Sequence, residues 1–283
     1  MLQRIKNVLR GFTRLYQVPE QQFYIVQKLK SIESQINDVE LSPVEHYVLQ
    51  SQKLNRNNFR SVFHHSYEDW RIRRINKILE IYGIEYFKNK KILELGAAHG
   101  DIGAFFAELG AEVLCLDGRA QNVNFANLKH RQLENFTCRK FNLENDFTEF
   151  GEFDLIINLG LLYHLRNVQE HLESCFKMSD DMVCETVVCD SIDPSRIFFC
   201  DENSDEDEKA LDGTGSRPSP FYIERIAEDN DFEVTRYFTA DLNSGDQFIY
   251  DWEHKNVDRV ADDIKLRRFW RFRKTANKEL EVK

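Results

Sequence analysis

The sequence predicts an open, mostly parallel α/β sheet with helices on both faces. Two observations carry this. From Lys90 onward, short apolar runs alternate with helix-like stretches, the rhythm of strands joined by crossover helices. The first of these runs, "KILELGAAHGDIG" beginning at Lys91, ends in a turn with glycines at Gly96, Gly100 and Gly103. A buried strand entering such a turn is the usual place for a bound cofactor in this fold class.

The elements follow in order. Residues 66–87, "SYEDWRIRRINKILEIYGIEYF", place Ile72, Ile75, Ile78, Leu79 and Tyr82 on one helical face. "KILELG" and "AEVLCLD" are strands, "NFTCRKFN" is a weaker one, and "FDLIINLG" and "DMVCETVVCD" follow. Helical stretches at 102–109, 119–133 and 167–177 lie between them. Residues 201–217, "DENSDEDEKALDGTGSR", hold seven acids in an apolar-poor run, which reads as a flexible, solvated insertion. A helix begins near Pro218–Pro220, "FEVTRYF" is a strand, and "RRFWRFRK" has the alternation of a last strand, edge or antiparallel, with outward arginines. The region before the sheet, 1–64, is a helical extension, and 65–283 form the main domain. "MLQRIKNVLRGFTRLY" is basic and amphipathic, and Ile25, Leu29, Ile32 and Ile36 form a stripe that suits packing within the chain or a homo-oligomer.

The turn discriminates among cofactors. A dinucleotide site needs GxGxxG, but Ala98 and Asp101 stand at the second and third glycine positions, where they would meet a pyrophosphate. A P-loop would need GK[ST]. The arrangement suits a cationic, phosphate-free cofactor such as S-adenosylmethionine, with Glu94 just ahead of the turn. Asp117, at the end of "AEVLCLD", is placed to accept ribose hydroxyls.

With these motifs the chain resembles the class I, Rossmann-like S-adenosylmethionine-dependent methyltransferases over about three quarters of its length. "LELGAAHG" matches the first motif of that family, "VLCLDG" its acidic second-strand end, and "FDLIINLGLLYHL" its fourth-strand motif. "GLLYHL" followed by "ETVVCD" is most similar to the branch containing tRNA uridine carboxymethyltransferases. The resemblance implies a doubly wound, seven-stranded sheet. It also implies a cofactor site lined by Glu94, Gly96, Ala97, Gly100, Asp117 and Gly118. His99 lies in the same turn, Asn142 takes the place of an adenine-binding Asp, and Asn158 is a polar residue at the fourth strand's end.

Methyl transfer from a sulfonium is an in-line displacement, so positioning and exclusion of water dominate. A hydroxyl acceptor also benefits from a base. His164, after the fourth strand, is the candidate, with Tyr163 shaping the pocket and Glu185 and Asp190 near the acceptor. Arg217, in "GTGSRPSP", is a candidate for a closing lid.

The bulk properties narrow the acceptor. With 38 basic and 48 acidic residues the net charge is −10, which disfavours non-specific nucleic-acid binding. No apolar run approaches the roughly 20 residues needed to cross a bilayer. Six cysteines without a CxxC pair read as reduced thiols in a cytoplasmic protein, with no metal site expected. The leading expectation is O-methylation of a small-molecule or glycan hydroxyl. A tRNA-modifying methyl or carboxymethyl transferase and a non-catalytic binding module are the alternatives. The presence of Glu94, Gly96, Gly100 and Asp117 argues against the last.

Overall fold

The computed structural model describes residues 42–45, 47, 68–205, 209–244, 248–253 and 266–275. The expectations for the basic N-terminal helix and the isoleucine–leucine stripe lie outside these residues. Val44–Lys283 form one compact unit.

Helix α1 (Glu68–Tyr82) leads through a short 3-10 turn (Ile84–Phe87) into strand β1 (Lys91–Leu95). Then follow α2 (Asp101–Glu108), β2 (Glu112–Asp117), α3 (Ala120–Lys129), β3 (Phe136–Lys140), β4 (Leu155–Leu159), α4 (Val168–Met178) and β5 (Asp181–Val187). After β5 come β6 (Ile197–Asp201), β7 (Thr214–Pro218), α5 (Pro220–Asp229), β8 (Phe232–Tyr237) and β9 (Arg267–Lys274). The main sheet has seven strands in the order β3-β2-β1-β4-β5-β9-β8. β1 to β5 are parallel, whereas β9 runs antiparallel to both β5 and β8.

Strands covered on both faces read as continuous apolar runs. β4 is buried at every position, with Ile157 facing one core and Ile156 the other. The first core joins Ile92, Phe105, Phe106 and Val113, and the second joins Leu93, Leu95, Phe176, Trp270 and Phe272. The chain leaves β1 in one direction through β2 and β3, then returns to β4 on the other side. That reversal opens a crevice beyond the carboxyl ends of β1 and β4.

Two features differ from the expectation. "RRFWRFRK" is antiparallel, as one of the two expected alternatives had it, but it is not an edge strand. β9 inserts between β5 and β8, and β8 takes the edge. Its first two arginines are not outward: Arg267 and Arg268 are each 2% exposed. Both have internal partners. Arg267 pairs with Glu185 at 2.8 Å, and Arg268 donates to the carbonyls of Tyr250 and Trp252 while stacking on the Trp252 ring. Lone charges are rarely buried, so composition alone pointed the wrong way.

The second difference is in the acidic stretch. β6 and β7 pair antiparallel as a separate two-stranded ribbon, so Arg217 belongs to a strand rather than to a loop. Within that stretch the Glu202 side chain is only 6% exposed.

Candidate active site

A cleft of about 1070 Å³, counting its open mouth, lies at the crevice between β1 and β4. Its floor is the turn after β1. Gly96 has a φ of 68°, and a Cβ there would lie 3.0 Å from Leu161, so glycine suits both the backbone and the space. Glu94 is buried beneath the turn, where its Oε2 accepts from the Gly103 amide at 2.9 Å and from the Cys115 thiol at 3.2 Å. Burial lifts its carboxyl to about 7.

Asp117, at the end of β2, is fixed by the backbone around it. Its Oδ2 accepts from the Ala98 amide at 2.8 Å, and its Oδ1 from the Arg119 amide and the Asn122 side chain. A carboxylate offers about four lone-pair sites, so Oδ2 retains acceptor capacity for a hydroxyl in the cleft. Asp101, at the start of α2, is buried against Lys129, Arg71 and His130. Burial opposes its charge, but the Lys129 and Arg71 cations outweigh that and hold its carboxyl well below the usual range.

The opposite wall is built by the segment after β4. The Tyr163 and His164 rings meet at a tilt of 45° with centroids 3.9 Å apart, and both line the cleft. His164 Nδ1 lies 2.6 Å from Glu202 Oε2. Burial lowers the His164 pKa more than the Glu202 carboxylate raises it. Trp70, Arg71 and Arg267 complete this end.

Of the expected residues, Glu94, Gly96, Ala97, Asp117, Gly118, Asn142, Tyr163 and His164 line one cleft. Four others do not. Gly100 starts α2 where a Cβ would strike the Phe136 ring at 2.6 Å. His99 is buried with its ring 4.5 Å from that of Phe125. Asn158 is buried with its amide 2.9 Å from His171 Nε2. Glu185 is wholly buried, bound by Arg267, Arg74 and Tyr250. Two arginines beside it hold its carboxyl below the ordinary value against the opposing effect of burial.

Sequence reasoning missed Glu202, Trp70, Arg71 and Arg267. Only Arg267 left a signal, as an arginine in an apolar alternation.

Residues 93–181 match the model of a family described as a methyltransferase domain. The fold is that of the class I, S-adenosylmethionine-dependent methyltransferases. The N-terminal domain of EvdMO1, crystallised in the presence of S-adenosylhomocysteine and D-fucose, aligns with a TM-score of 0.59 at 17% identity, over 83% of this chain and 98% of that one. The same domain with S-adenosylhomocysteine bound gives a TM-score of 0.55 at 20% identity, over 72% and 80%. Magnesium protoporphyrin IX methyltransferase from Synechocystis PCC 6803, with bound S-adenosylmethionine, gives 0.52 at 12% identity, over 84% and 100%. No curated protein matches the sequence.

The cleft fits that cofactor. Its carboxylates, Glu94, Asp101 and Asp117, suit a molecule bearing a sulfonium and an ammonium. Asp117 Oδ2 has room for a ribose hydroxyl.

Proposed function

We propose that the chain is an S-adenosylmethionine-dependent O-methyltransferase whose acceptor is a small-molecule or glycan hydroxyl. The carrying observation is His164: an imidazole in the wall of the cleft, held by its Nδ1 on Glu202.

The cofactor, when bound, supplies a methyl group on a sulfonium that leaves as a neutral thioether. Asp117 and Asn142 would hold its nucleoside end, and Glu94 and Asp101 would complement its positive charge. Tyr163 and Trp70 shape the acceptor end and exclude water. His164 Nε2 would take the proton of the acceptor hydroxyl during transfer, a contribution of about 10²–10⁴-fold. A net charge of −10 favours a small acceptor over a nucleic acid. The solved domain crystallised in the presence of D-fucose supports a sugar hydroxyl.

The test has two stages. Mass spectrometry of the purified protein identifies the co-purifying cofactor. Radiolabelled S-adenosylmethionine is then offered with a panel of monosaccharides, nucleotide sugars and bulk tRNA. Label in a sugar ether, slowed about 10²-fold in His164→Asn with unchanged cofactor affinity, is the expected result. Label in tRNA, or wild-type transfer by the variant, refutes it.

One observation favours a second reading, carboxymethyl transfer. Arg267 lines the cleft with its guanidinium 5.1 Å from the Tyr163 ring, and two arginines share the single carboxylate of Glu185. The surplus positive charge would suit a carboxylate on the transferred group. A carboxylated cofactor in the mass spectrum would select this reading.

A further inference from the structure

We propose that Glu202 is the positioning residue of the site: it fixes His164 as the Nδ1–H tautomer and leaves Nε2 bare toward the cleft. The proposal rests on the reading of His164 as a base.

The hydrogen bond sets the tautomer. A carboxylate only accepts, so at 2.6 Å the proton between Glu202 Oε2 and His164 Nδ1 belongs to the ring. In a neutral ring the other nitrogen then keeps its lone pair, as a base requires. Among the described residues Nε2 has no protein partner, and the side chain is 15% exposed, at the cleft wall. The carboxyl of Glu202 sits down at about 2: burial opposes ionisation, and the hydrogen bond from His164 outweighs it.

Glu202 is itself held in place. Oε2 also accepts from the Ala210 amide at 2.8 Å, and Arg217 approaches Oε1 at 3.5 Å. Arg217 in turn donates to the Tyr163 carbonyl at 3.1 Å, which ties the ribbon to the segment carrying the base. Gly215 is the counterpart in the sequence. A Cβ there would lie 2.5 Å from Glu202 Oε1 and 2.6 Å from the Tyr163 carbonyl oxygen. Any side chain would displace one or the other. The groups that set the His164 titration are therefore Glu202, which raises it, and Arg217 on β7 and Arg267 on β9, which lower it.

The test uses the full chain, labelled with nitrogen-15 and saturated with S-adenosylhomocysteine. Long-range proton–nitrogen spectra report the protonation of each imidazole nitrogen, and His164→Asn assigns the His164 signals. At pH 7.5 the wild type should carry the proton on Nδ1. Glu202→Ala should lose the fixed tautomer and lower the titration midpoint by about 1 pH unit or more. Glu202→Gln keeps an acceptor oxygen without charge. It should restore part of the tautomer preference but not the midpoint, and it serves alone if the alanine variant does not fold. With a sugar acceptor from the panel, Glu202→Ala should slow transfer about 10-fold or more, with the rising limb of the pH profile moved to lower pH. A wild-type proton on Nε2, or variants with the wild-type tautomer and midpoint, overturns the proposal. A fixed Nδ1–H tautomer together with a fully active His164→Asn variant instead overturns the base reading and leaves the positioning of the ring intact.

Discussion

Asp117 accepts three hydrogen bonds, from the loop after β1, the N-cap of α3 and the first turn of α3. The carboxylate is thus already oriented when a ribose arrives, and little ordering cost is left for binding. Removing it as Asp117→Ala should cost about 1.5–3 kcal/mol of charge-assisted hydrogen bonding, or roughly ten- to a hundredfold in S-adenosylmethionine affinity by calorimetry. Glu94 makes a pH prediction. Burial raises its carboxyl to about 7, and a cationic ligand favours the ionised form. Binding therefore releases a proton, and affinity should rise with pH up to and through 7, by as much as about tenfold per unit below that value. Glu94→Gln removes the titration and should flatten the curve. A wild-type affinity that is flat from pH 6 to 8 would show that Glu94 stays charged in the free protein.

At the scale of elements, β9 is both a strand and a source of charge. Inserted between β5 and β8, it sets Arg267 beside Glu185, while α1 brings Arg74 to the same carboxylate and Tyr250 donates to it. Breaking a buried ion pair from one side leaves uncompensated charge, at a cost of about 3–5 kcal/mol. Glu185→Gln should lower the unfolding free energy measured in urea by that much. Its folded fraction should bind S-adenosylmethionine as well as wild type, because Glu185 lies outside the cleft lining. The folded-state carboxyl is depressed. Its stabilisation is present above the unfolded carboxylate value and is lost as pH falls through the folded one. Wild-type acid unfolding should therefore be blunted in the variant.

For the whole molecule, the cleft sits where both directions of the sheet's winding meet. A ligand there touches the ends of β1, β2 and β4 and the loop before α4, and so holds together elements far apart in sequence. Ligand at a hundred times its dissociation constant should add about 2.7 kcal/mol to stability. For a unit of this size that raises the melting temperature by roughly 5–11 °C. Scanning calorimetry with S-adenosylmethionine and, separately, NADH checks this. An equal rise with NADH would count against the cofactor assignment. Among the described residues no helix is long and apolar enough to cross a membrane.

The sequence by itself determined the seven strands of the main sheet in chain order, the turn at Gly96 and the carboxylates at Glu94 and Asp117. These are local: hydrophobic period, glycine spacing and a charge at a strand end are all visible within a dozen residues. His164 was legible as the polar residue after an apolar strand. What surrounds it was not. Glu202 sits in a run of acids whose composition says solvent, and only the pairing of β6 with β7 turns that one carboxylate inward, 38 residues along the chain from its partner. Glu185 reads as a candidate at a strand end until β9 covers it with an arginine from 82 residues away. A charge is exposed or buried according to what packs against it, and for these two residues the packing partner comes from a distant strand. Tertiary structure alone therefore decided which glutamate pairs with His164 and which one holds the sheet together.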